Sequence, residues 1–340
     1  MAERMLQPEH AGGQGAQGGI GRQDARRALA LPAACEAEVA RLSTPDGWRF
    51  SAWTAFYLGL WGAGVWALTR LDGQLPAQLL LSLLLGNQLH ALTILQHDCG
   101  HRSAFASPAA NLWVGRALAW FVFMPFTTFT ELHRRHHGFL GQKDKDPDDW
   151  FYGAGKARLF LRECCFMPRF IFLSLGPALP PQVRRTVLRE LAFNLVSHVG
   201  LGLALLVSGH GDILLFGLLL PMLLLACLYN PVSRGYEHYP MASLPEGDAR
   251  REDLRFNTVT VSSRLVGLAW ANITYHVEHH MHPRVPFHAL PALGRLFAGK
   301  SYLVAPYPLF ALEKLDHPPG PEDAKARPSA TSRHQKRTAT

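Results

Sequence analysis

Four stretches of the 340-residue chain stay apolar long enough to cross about 30 Å of hydrocarbon, which takes roughly 20 helical residues. They are Phe50–Thr69, Leu75–Gln96, Glu190–Val207 and Asp212–Tyr229. The links Arg70–Gln74 and Ser208–Gly211 are so short that each pair must form an antiparallel hairpin. A fifth block, Ala109–Phe129, is also apolar but carries Arg116 and Pro125. The cations decide how to read it. With four spans, the two short links hold only Arg70, and the other 33 of the 34 Lys and Arg lie on the opposite face, the cytoplasmic one by the positive-inside rule. If the fifth block also crossed, the segment Thr130–Arg189 would be exported with eleven of them. Ala109–Phe129 is therefore expected to dip in and return, or to lie near the cytoplasmic interface. Ala157–Leu175 mixes Arg with Phe, Leu and Met, as a surface-lying amphipathic helix does. The pattern predicts an all-α membrane protein: four transmembrane helices as two hairpins, with a cytoplasmic helical cap.

The ends are polar. Mean hydropathy is close to zero only because they offset the apolar blocks. Residues 1–49 lack the apolar core of a signal peptide and are expected to be a cytoplasmic segment. Within it, Met1–Gly21 is expected to be disordered, and Asp24–Leu42, interrupted by Pro32, to be an amphipathic helix. Residues 50–316 form the membrane domain. The tail 317–340, rich in Pro, Lys, Arg, Ser and Thr, cannot bury a core. A net charge of +8 raises the question of nucleic acid, but the basic residues flank apolar blocks instead of forming one stripe interleaved with aromatics, which suits an anionic membrane surface. Five cysteines, two of them adjacent at Cys164 and Cys165, exclude a secreted disulfide framework and fit a reducing compartment.

Seventeen histidines are present, and nine fall where this topology puts them on one face of the membrane. His97 and His101 are spaced i, i+4; His133, His136 and His137, and again His276, His279 and His280, are spaced i, i+3, i+4. Each spacing lies along one side of a helix. A random H-x-x-H-H is expected roughly 0.04 times in such a chain, so two copies arise by chance about once in a thousand. Eight box histidines exceed the four ligands of a zinc site and suit two ions. Imidazole accommodates Zn, Cu, Fe and Ni, so ligand type alone leaves the metal open. His10, His90, His198, His210, His282, His288, His317 and His334 are read as non-ligands.

The three boxes, in this order and relative to two helical hairpins, resemble those of integral-membrane fatty acid desaturases, in a superfamily that also includes hydroxylases and ketolases. The likeness runs from about Phe50 to Phe297. Asn272–Pro286, and Asp144-Lys-Asp146-Pro147 after the second box, are especially similar to bacterial acyl desaturases. The resemblance implies a non-haem centre of two iron ions that activates O2, an acyl or lipid substrate, and a bacterial inner membrane with the site and both termini cytoplasmic. Arg234-Gly-Tyr-Glu237-His238 resembles the Arg-x-x-Glu-His run of bacterial relatives and makes His238 the ninth ligand. Animal stearoyl desaturases have Asn-x-x-x-His there, whereas Asn230 lies eight residues before His238. Asp98, Glu131, Glu237 and Glu278 are the acids that could accept the other ring N–H of a ligating histidine; solvated charges at helix ends are the equal alternative. Trp113, Trp120, Phe121 and Phe123 are expected along an acyl tunnel.

No cysteine cluster for iron–sulfur ligation is present, and Gly12–Gly21 follow no strand. The electrons must therefore come from an external donor, a ferredoxin or cytochrome-type carrier with its reductase, steered by the basic face. Three other readings stay open: a hydroxylase or carotenoid ketolase using the same irons, a bis-histidine haem electron-transfer protein, and a non-catalytic metal-binding or transport protein. The last is disfavoured because only His90 and His198 sit inside spans, with no matching acidic pathway.

Overall fold

The computed structural model describes residues 20–152, 155–177, 179–308, 317 and 319–320. The expected disorder of Met1–Gly21 and of the tail lies almost wholly outside them. The described chain is helical, with one parallel two-stranded ribbon, β1 (Val259–Val261) against β2 (Leu303–Ala305), Val259 facing Leu303.

Pro32 breaks the N-terminal segment as expected, leaving α1 (Ile20–Leu29) and α2 (Glu36–Leu42). Asp46 starts α3 (Gly47–Leu68) by accepting the Arg49 N–H at 3.0 Å, which satisfies one orphan donor of the first turn. Next come α4 (Leu75–Gly100), α5 (Pro108–Phe121) and α6 (Phe126–Phe139). The expected amphipathic helix over Ala157–Leu175 forms as two pieces, α7 (Gly155–Glu163) and α8 (Phe166–Leu175), with the break at Cys164 and Cys165. The chain then runs through α9 (Pro181–Val207) and a continuous helix, α10 (Ile213–Glu237).

Three of these helices are long and apolar enough to cross a membrane: α4, α9 and α10. Helix α3 has the length, 22 residues, but its Trp, Tyr, Thr, Ser and Gly dilute the apolar character. The first of the four expected spans is thus a helix that composition alone does not make membrane-spanning. Helix α10 outruns its expected end at Tyr229 by eight residues and contains π-helical turns at Ile213–Leu219 and Leu225–Tyr229, the second of them just before Pro231. Pro231 has no N–H for the Cys227 carbonyl, which instead receives the Cys164 thiol at 3.9 Å.

The fifth apolar block does not cross as one rod. Helices α5 and α6 meet at 105°. Phe123 sits in the left-handed region at φ 55°, and Pro125 caps α6, so the chain turns sharply and packs α6 against α4. The main core gathers Phe50, Tyr57, Leu92, Leu95, Phe126 and Phe129. A second core joins Leu29 and Leu42 of the N-terminal helices to Val277, Leu290, Leu293 and Phe297 near the other end of the chain.

Candidate metal centre

Each box is delivered by an element whose local structure the spacing requires. His97 ends α4 and His101 caps it, the His101 N–H still donating to the His97 carbonyl at 3.1 Å. The second box occupies the last turns of α6, and the third forms a short helix of its own, His276–Met281. His238 follows the last residue of α10.

All nine histidines converge, in two groups. In the first, His97, His101, His133, His137 and His279 present nitrogens within 4.8 Å of one another. The Nε2–Nε2 separations are 3.0 Å for His97–His279, 3.1 Å for His279–His137, 3.0 Å for His137–His133 and 3.0 Å for His133–His101. In the second, His136, His238 and His280 come within 4.8 Å. His276 faces His238 at 2.9 Å and His280 at 3.2 Å. The His137 and His280 rings stack at 4.2 Å and join the two groups.

The donor set fits cations. Each Nε2 carries either one proton or one lone pair, so five nitrogens in mutual contact can make at most two hydrogen bonds among themselves. A metal ion accepts lone pairs from all of them. Burial, reinforced by the neighbouring imidazoles, pushes His238, His276, His279 and His280 below the usual imidazole range, which keeps them neutral as ligands must be.

The boxes exchange a histidine. His133 and His137 join the first group while His136 turns to the second; His276 and His280 join the second while His279 turns to the first. Helical geometry explains the split. Residues i and i+4 are about 40° apart around the axis, whereas i+3 lies about 60° to the other side of i and about 100° from i+4.

The far nitrogens are tied down. His136 Nδ1–H donates to Asp146 Oδ1 at 2.9 Å, with Asp148 Oδ2 at 3.4 Å. Burial lowers His136, but these two carboxylates outweigh it and raise it overall. Asp146 also accepts the Gly141 and Asp148 N–H groups at 3.0 and 2.9 Å. Asp148 pairs with Arg234, whose guanidinium also reaches Glu163 at 3.3 Å and lies over the Phe166 ring. Burial, set against that cation, pushes Glu163 up to about 7. His238 Nδ1 meets Thr258 Oγ1 at 3.1 Å.

Of the four acids expected near the rings, Asp98 lies 3.3 Å from His97 Nδ1 and accepts the Phe287 N–H at 2.7 Å. Glu237 lies 3.5 Å from His276 Nδ1. Glu131 instead pairs with Arg134 at the surface, and Glu278 accepts from Thr260 and Tyr302. Sequence reasoning quoted Asp146 and Arg234 without a role for either, and missed Asp148, Glu163 and Thr258. Only the density of acids after the second box, Asp144 to Asp149, signalled any of them.

Two kinds of cavity reach the histidines. A 550 Å³ cavity walled by α1, α2 and Leu254 touches His137 and His280. Two slits of about 30 Å³ share Thr93, Phe129, Phe166 and Asn230: one runs past Cys164, Met167 and Leu225, the other past His97, His133 and His276. Trp113, Trp120 and Phe121 line a separate 730 Å³ groove between α5, α6 and α9 that none of the nine histidines touches. Phe123 packs on His198. The expected aromatic tunnel is therefore displaced from the centre.

Comparison with known proteins agrees with this geometry. The family model described as fatty acid desaturase matches residues 73–307. The human sphingolipid delta(4)-desaturase DES1 is 25% identical over 223 residues, 62% of each chain. The Rattus norvegicus sphingolipid delta(4)-desaturase/C4-monooxygenase DES2 is 28% identical over 230 residues, 63% of each. The endoplasmic reticulum omega-3 fatty acid desaturase of Vigna radiata is 25% identical over 234 residues, 60% of each. The chain thus spans a little under two thirds of the length of these relatives. With a family match that covers most of the chain and contains all nine converging histidines, this protein belongs to the fatty acid desaturase family.

Proposed function

We propose that the chain is a membrane-bound, O2-dependent desaturase that places a cis double bond in a fatty acyl chain of a lipid. The observation that carries this reading is the convergence of nine imidazoles in two groups beside slits that open among apolar side chains. His97, His101, His133, His137 and His279 would hold one iron, and His136, His238, His276 and His280 the other. The irons would supply the dioxygen activation and hydrogen abstraction that no side chain can perform. In balance, the substrate loses two vicinal hydrogens; with two electrons and two protons from outside, dioxygen leaves as two waters.

The chain's own residues position and exclude. Asp146, Asp98 and Thr258 fix the ring orientations through the far nitrogens, an arrangement that also raises ligand basicity. Phe129, Phe166 and Ile94 narrow the slit beside His97, His133 and His276, which keeps bulk water from that side of the centre.

Four spans with both termini cytoplasmic complete the reading, α3 pairing with α4 and α9 with α10. Trp48 and Trp66, 85% and 61% exposed near the two ends of α3, stand about 27 Å apart along the axis, the spacing of aromatic anchors at two membrane interfaces. Residues 50–316 then form the membrane domain in a bacterial inner membrane, and the basic cytoplasmic face receives an acidic ferredoxin or cytochrome-type donor.

A monooxygenase outcome is the second reading, because the name of one relative pairs desaturase with C4-monooxygenase. Expression in a host lacking unsaturated lipids, followed by lipid mass spectrometry, separates the two. Desaturation yields an acyl species lighter by about two mass units and hydroxylation one heavier by about sixteen; both must vanish without oxygen or with His136→Ala. Neither product in an iron-loaded, aerobic preparation supplied with electrons would reject both.

A further inference from the structure

Resting on the desaturase reading, we infer that His90 and Asn230 bind a neutral hydroxyl or amide group carried by the long-chain substrate, so that the slit selects a polar-substituted lipid over a plain hydrocarbon chain. His90 is 2% exposed, and its Nδ1 has no hydrogen-bond partner among the described residues. An unmatched buried nitrogen of this kind costs about 1–3 kcal/mol. The ring is held by Trp270 at 5.2 Å and Tyr229 at 6.5 Å. It lines the same slit as His97, His133 and His276, seven residues before His97 on α4 and hence about 10 Å from it along the axis.

The other polar walls of this slit sort themselves. Thr93 and Ser233 already donate to the Leu89 carbonyl and to Glu237. Arg234 is engaged by Asp148 and Glu163, and Glu237 by Ser233 and His276. Asn230, 8% exposed, lines both slits and has no side-chain hydrogen bond among the described residues. The slit therefore offers one imidazole nitrogen and one carboxamide, which together can donate and accept but bring no net charge. An ion is poorly matched there; a hydroxyl or amide is well matched. The volume of about 30 Å³ is close to that of one water molecule, so the group it takes must be small.

The full-length protein in nanodiscs, with dioxygen excluded, is titrated with octadecane, 1-octadecanol and octadecanamide, and bound lipid is read by native mass spectrometry. At least one polar probe should bind about tenfold tighter than octadecane, as one good hydrogen bond provides, and the tighter probe names the group. His90→Phe, which keeps the ring against Trp270, and Asn230→Leu should each bring that ratio to near one, while His90→Gln should restore most of it. Equal binding of the three probes, or an unchanged ratio in both apolar variants, overturns the inference and leaves Nδ1 to a buried water. If the probes bind equally while acyl turnover persists, only this inference falls; if none binds, the desaturase reading falls with it.

Discussion

His136 is the residue on which the site's geometry turns. It belongs to the second box by sequence and to the second group of imidazoles by position, and Asp146 holds it there. Removing the charge of such a carboxylate typically costs 10–100-fold in metal affinity or activity. Asp146→Asn is therefore expected to lower iron retention by about that factor, read as metal content after dialysis against graded chelator. Glu131→Gln, which disturbs only a surface pair with Arg134, should retain iron like the wild type. Equal retention in the two variants would remove Asp146 from the role assigned to it. The histidines were legible because their spacing is a local property. Asp146 was not, because the loop from Gly141 (φ 78°) to Asp144 (φ 61°) has no period from which its path could be read.

At the scale of elements, the bend between α5 and α6 brings the second box under the first. It depends on close approach: a Cβ on Gly115 of α5 would lie 2.4 Å from the Phe126 ring of α6 and 3.0 Å from Cys99 of α4. Gly115→Leu should prise the pair apart and cost about 1–3 kcal/mol as an overpacked contact, with a parallel loss of bound metal. Gly138→Ala, where the added carbon meets nothing, should be neutral or stabilising, since alanine outranks glycine in a helix by about 1 kcal/mol. Unfolding curves in detergent with metal analysis test both; a stable, metal-replete Gly115→Leu would show that the bend does not position the box. The sequence pattern led to the expectation that Ala109–Phe129 does not cross, because the segment after it, Thr130–Arg189, carries eleven cations. It could not show the 105° angle, which Pro125 permits and the packing of Phe126 sets.

For the whole molecule, the proposed four-span arrangement makes a prediction about topology. Reporter fusions after Gly73 and Gly209 are expected to report the outside, and fusions after Asp146 and Thr340 the inside. An outside signal at Asp146 would separate the first two boxes across the membrane, contrary to their 3.0 Å approach between His101 and His133. The N-terminal helices, outside the family match, pack against the segment that follows the third box and wall the 550 Å³ cavity at His137 and His280. Nothing in the spacing of Leu29 or Leu42 pointed to that contact, because its partners lie more than two hundred residues away.

Sequence alone determined what depends on neighbours along the chain: the helical class, the candidate spans α4, α9 and α10, and three histidine boxes whose spacing places their members along one side of a helix. It also named all nine histidines that meet. Tertiary structure decided how they divide. Within one box, two histidines a turn apart point nearly alike, while the one between them lies about 60° and 100° away, and whether that difference sends it to the same ion or another depends on how each helix is rotated about its axis. That rotation is set by packing between α4, α6, α10 and the His276–Met281 helix, which are separated by tens to nearly two hundred residues. His136 and His279 therefore change partners for a reason written in three dimensions.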